Sequence, residues 1–278
     1  MNVNIIVSDY LLVWNILFTK SIIEQLKDTK QKLWDTYRNE YNNSYYEKDL
    51  ILKDYKNFIP NNDTVYNAII EKEEFKLLKR NTEKVRVNTI KIWDKNNKKI
   101  NKFFKDVVRK KLPDLNIFVL NKEFNYLEVT KLTKEESACV IGKKYQDDRI
   151  LLVDVINEVL KKEIKPTTKS SEIKEVLIEL AVINEFATML DNKSHYKDGL
   201  KKYQYLKMQI YPYWLMFLGI KKEDMLSYMQ RDGIKFDINR ITYSEELKNL
   251  NIEEFIEYIE NNKKSIIKIN KLSISDED

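Results

Sequence analysis

"LLVDVINEVLKKEI", residues 151–164, carries apolar residues at Leu151, Val155 and Val159, with Ile156 and Leu160 beside them. On a helix that spacing makes a broad apolar stripe, so a helix over 148–164 is expected to pack against a core. Asn157 and Lys161 lie four apart and share a face, and Glu158 directly follows Asn157. What flanks this helix decides the fold.

Before it stand three short runs, "LNIFVL" (115–120), "NYLEVTKL" (125–132) and "SACVIG" (137–142). They are β-branched or aromatic and have strand lengths, and no other strand cluster is expected. After it comes "SEIKEVLIELAVINEFATML" (171–190), where Val176, Leu180, Ile183, Ala187 and Leu190 recur at helical spacing. Upstream, helices are expected over 8–27, 30–56, 63–81 and 83–94. "DKNNKK" (94–99) reads as an interruption before a basic amphipathic helix over 98–111 that Pro113 closes. Downstream, 200–220 reads as an aromatic helix kinked by Pro212, followed by helices over 222–231 and 244–263 and a frayed acidic tail, "SISDED" (273–278). This order predicts an α+β protein, predominantly helical, in three regions. They are a helical region at 1–112, a core of small sheet and two helices at 113–200, and a helical region packed on that core at 201–278.

Composition narrows the class. Hydrophobic residues make up 43% of the 278, enough for a real core and against disorder. Forty-nine basic and 44 acidic side chains leave a net charge of +5, which permits nucleic-acid or anionic-membrane contact without arguing for either. The single cysteine, Cys139, excludes an internal disulfide and any multi-cysteine metal site, and its neighbours read as a buried strand. The four glycines stand alone at 142, 199, 219 and 233, so no glycine-rich phosphate loop is present. "YLLVWNILF" (10–18) follows Asp9, lacks a basic segment before it and is too short to span a bilayer, so it reads as a core helix of a cytoplasmic protein with no membrane partner.

The layout resembles the zincin metallopeptidases. In that family a small sheet precedes a helix bearing His-Glu-x-x-His, whose histidines hold zinc while the glutamate activates a water. In the gluzincin branch the third ligand is a glutamate on the next helix, often preceded by asparagine. Here "NEVLK" (157–161) stands at the first position and Asn184-Glu185, in "VINEFATML", at the second. The resemblance covers about residues 115–192. It implies active-site positions at Asn157, Glu158, Lys161 and Glu185, with Asn184, Tyr203, Tyr211 and Trp214 lining a cleft.

Departures from the family pattern decide the expected function. Asn157 replaces the first histidine and Lys161 the second. An amide oxygen is a poor zinc donor and a protonated lysine has no lone pair. The chain's one histidine, His195, cannot supply two imidazoles, and it reads as a surface residue. A His-His-Glu zinc site is therefore excluded. The resemblance then implies an inactive pseudo-peptidase, without catalytic residues, metal or cofactor, that binds a peptide or protein partner. Lys161 is expected to stand in for the zinc by neutralising Glu158 and Glu185. The alternative is a helical nucleic-acid-binding protein that meets phosphates through Lys98, Lys99, Lys102, Lys105, Arg109, Lys110 and Lys111, though no nucleic-acid-binding motif accompanies them.

Overall fold

A computed structural model of the chain describes residues 1–19, 24–165, 171–234 and 241–267. The chain is α+β and predominantly helical, with one small sheet. It folds as two compact units, Met1–Asn96 with Leu112–Lys162, and Asn97–Lys111 with Glu163–Asp278. These units interleave along the chain. Pro166 and the start of the following loop, and the acidic tail, lie outside the described residues.

In the first unit β1 (Val3–Ile6) leads into α1 (Asp9–Phe18), whose first turn is capped by the Ser8 hydroxyl accepting from the Leu11 N–H. Next come α2 (Lys27–Thr36), α3 (Arg38–Ser44) and α4 (Lys48–Lys53), where one helix over 30–56 was expected, and α5 (Asp63–Ile70), where a helix over 63–81 was expected. Helix α6 (Glu73–Phe103) runs straight through "DKNNKK". Asparagine and lysine can sit inside a helix, and asparagine loses little there when its amide is bonded. Here Asn96 donates to the Ile92 carbonyl (2.9 Å) and Asn101 to the Asn97 side chain (3.0 Å), so these amides bond back into the helix.

Strands β2 (Asp114–Val119), β3 (Tyr126–Lys131) and β4 (Glu136–Gly142) fall where their alternation places them. The sheet order is β1-β2-β4-β3, with β1 and β4 parallel to β2, and β3 antiparallel to β4. β1 was not expected. Four residues carry too little pattern, and its register is fixed partly by side chains. Asn2 donates twice to the Asp114 carboxylate (2.7 and 2.9 Å), and Asn4 donates to Asn116 (3.0 Å). Phe118, Ala138 and Val140 join a core with α1, α4 and α5. Ile117, Val119, Cys139 and Ile141, on the other face, are buried as well, so β2 and β4 are covered on both sides. Helix α7 (Asp148–Glu163) follows β4.

In the second unit α6 closes through a π-helical turn, Phe104–Val108, and Arg109 in the left-handed region (φ 54°), ahead of Pro113. α8 (Ser171–Glu179), a π-helical stretch (Leu180–Phe186) and α9 (Ala187–Asp191) form one continuous rod. α10 (Gln204–Phe217) holds Pro212 within it and packs on α8 and α11 (Lys222–Arg231). The expected 244–263 helix is a 3-10 turn (Glu245–Asn249) and then α12 (Ile252–Asn261), which begins at a capping box between Asn251 and Glu254.

Candidate functional site

The two motif helices carry the same local arrangement. On α7 the Asn157 amide donates to Glu158 Oε1 (3.1 Å), and the Lys161 ammonium donates to that same oxygen (2.8 Å). On the π-helical stretch the Asn184 amide donates to Glu185 Oε1 (2.8 Å), and the Trp214 indole N–H donates to it as well (3.1 Å). In each case the asparagine turns its NH2 toward the next residue, and a second donor completes the bond set. The first group lies in the first unit and the second group in the second unit.

The donor chemistry of α7 does not fit zinc. An ammonium offers no lone pair, and the Asn157 amide turns its NH2 toward Glu158 Oε1, to which Lys161 also donates. Among the described residues no group of three or more His, Cys, Asp and Glu side chains is placed to hold a metal ion.

The expectation that Lys161 neutralises buried carboxylates is corrected. Its side chain is 47% exposed and that of Glu158 35%, so water screens the pair. Glu185 is different. Burial pushes its carboxyl up from the ordinary value, against the hydrogen bonds from Trp214 and Asn184 that hold it down. Asn184 is buried, and its Oδ1 has no hydrogen-bond partner.

Tyr211 and Trp214, expected along a cleft, are fully buried; Tyr203 is half-buried. The Tyr211 hydroxyl donates to Asp232, which also accepts from Ser194 (2.9 Å) and from Arg231 through Nε and Nη2 (3.0 Å each). Burial is the largest influence on Asp232 and opposes its charge. The hydrogen bonds from Arg231, Tyr211 and Ser194 outweigh it and hold the carboxyl below its usual range. His195 is also corrected. It is 7% exposed, with Nδ1 2.6 Å from Asp198 and Nε2 2.8 Å from Asp191. Cys139 is the core thiol expected. Burial, with the Glu158 carboxylate adding to it, pushes it up to about 12, so it stays protonated.

The basic segment is largely engaged within its own unit. Lys99 donates to the Leu190 carbonyl (2.8 Å), Lys102 pairs with Asp106 (2.8 Å), and Lys110 pairs with Glu253 (2.6 Å). Arg109 donates to the Lys248 carbonyl and lies 4.5 Å over the Phe217 ring. Lys98, Lys105 and Lys111 are exposed. Only part of the expected stripe is left to face water.

Sequence reasoning missed one buried pair. Lys207 on α10, 1% exposed, donates to Glu179 Oε1 (2.7 Å) and to the Tyr196 carbonyl (2.7 Å), while Leu200 N–H donates to Glu179 Oε2 (2.7 Å). Nothing in an "LKM" triplet distinguishes such a lysine from a solvated one.

Comparison with protein-family models, with curated proteins and with solved structures finds no match to this chain. No helix among the described residues is long and apolar enough to cross a membrane.

Proposed function

We propose that this chain is a metallopeptidase-like protein without peptidase chemistry, which acts by binding a peptide or protein partner from the cytoplasm. One observation carries the reading. The three polar residues of the "NEVLK" segment are tied to one another, with both Asn157 and Lys161 donating to Glu158 Oε1. Glu158 is thereby positioned by donors on its own helix, and the ammonium standing beside it cannot ligate a metal. The element order, a small sheet, then a helix with Asn-Glu, then a second helix with Asn-Glu, supports the family resemblance.

The test combines turnover and binding. A mixed peptide library incubated with the protein and added zinc should remain intact, while panning of a random peptide library should recover related sequences whose binding falls in Lys161→Glu. Cleavage of the library would overturn the reading. So would recovered peptides that bind Lys161→Glu as they bind the wild type.

A further inference from the structure

A cavity of about 290 Å³ opens in the first unit at the carboxyl ends of the parallel strands β2 and β4. Its apolar wall includes Val119, Leu120 and Ile141 at the strand ends and Leu151 from α7. This end of parallel strands is where open sheets with helical connections commonly receive ligands.

The polar groups at the cavity are asymmetric in what they have left to offer. Lys143 is spent on Asp154 (2.8 Å), and Asp147 is spent accepting from Ile150 N–H (2.9 Å). Asp148 sits in the first turn of α7, where the helix dipole favours a carboxylate. Lys122 and Lys144 line the cavity, are exposed, and have no ion-pair partner among the described residues. Tyr145 lines it too, and its buried hydroxyl has no hydrogen-bond partner. Folded chains seldom leave such an atom unpaired. Burial raises the phenol well above its usual range, so it remains a neutral donor.

We propose that this cavity binds a small apolar carboxylate, its chain on the Val119–Leu120–Ile141–Leu151 wall and its head group between Lys122 and Lys144. The volume equals that of roughly ten waters at about 30 Å³ each, which suits a ligand of about ten heavy atoms. A nucleotide is too large, and a free phosphate would leave the apolar wall unused.

Calorimetric titration of the full chain with octanoate tests this, with octan-1-ol and inorganic phosphate in parallel. Octanoate should bind at one saturable site, and the alcohol and phosphate at least about tenfold more weakly. Lys122→Gln/Lys144→Gln should weaken octanoate at least about tenfold. Asn88→Trp, at an exposed lining position, should abolish binding by filling the mouth. All three positions are on the surface, so circular dichroism and melting should match the wild type. No octanoate binding, phosphate binding as tight as octanoate, or folded variants that bind like the wild type would each overturn the proposal.

Discussion

Lys161 and Glu158 close on each other across one turn of α7, Nζ to Oε1 at 2.8 Å, with both side chains substantially in water. A pair this exposed adds little stability, about 0–1 kcal/mol. Lys161→Met should therefore change unfolding free energy by no more than about 0.5 kcal/mol, as should Lys162→Met. Urea melts of the two variants check this. A loss several times larger in Lys161→Met alone would return the lysine to a buried, charge-compensating role.

Glu185 gives a pH signature. Its folded carboxyl is raised above the ordinary 4.5, so the folded state binds that proton more tightly than the unfolded chain. The ionised side chain costs stability above the raised value, and the cost disappears as pH falls through it toward 4.5. Glu185→Gln keeps an oxygen for Trp214 and Asn184 to bond and removes the charge. The variant should melt higher than the wild type at pH 7.5, and the gap should close as pH falls toward 4.5. A difference that stays constant with pH would show that burial of this charge is not what Glu185 contributes.

The Lys207–Glu179 pair makes a prediction of opposite scale. Both side chains are nearly inaccessible, and removing one leaves the other as a buried, uncompensated charge. Lys207→Met should cost about 3–5 kcal/mol. Lys207→Met/Glu179→Gln should cost less than the sum of the single changes, because neither charge is then left alone. Gly199 belongs to the same knot. A Cβ there would collide with the Glu179 carboxylate, so Gly199→Ala should cost about 1–3 kcal/mol by overpacking. Chemical denaturation of each variant beside the wild type gives these terms.

The strands β2 to β4 and the helix over 148–164 were legible because apolar alternation and helical spacing report burial directly. β1 was not, since four residues, Val-Asn-Ile-Ile, are too short a pattern, and part of its pairing is made by the Asn2 and Asn4 side chains. α6 was read as broken because asparagine is a weak helix former, and only the structure shows Asn96 and Asn101 bonding back into the helix. At the site, the residue types spoke against a His-His-Glu zinc set without any coordinates, whereas solvent exposure could not be read from spacing. Lys161 and Lys207 are both lysines on apolar helices. One is in water and the other fully buried, and only tertiary packing separates them.

Zinc binding by Asn157→His/Lys161→His tests the central claim most directly. The wild type should take up no zinc, and the double variant, which sets two imidazoles one helical turn apart on α7, should bind one zinc per chain. A folded double variant that binds no zinc would contradict the metallopeptidase-like reading and leave α7 an ordinary amphipathic helix.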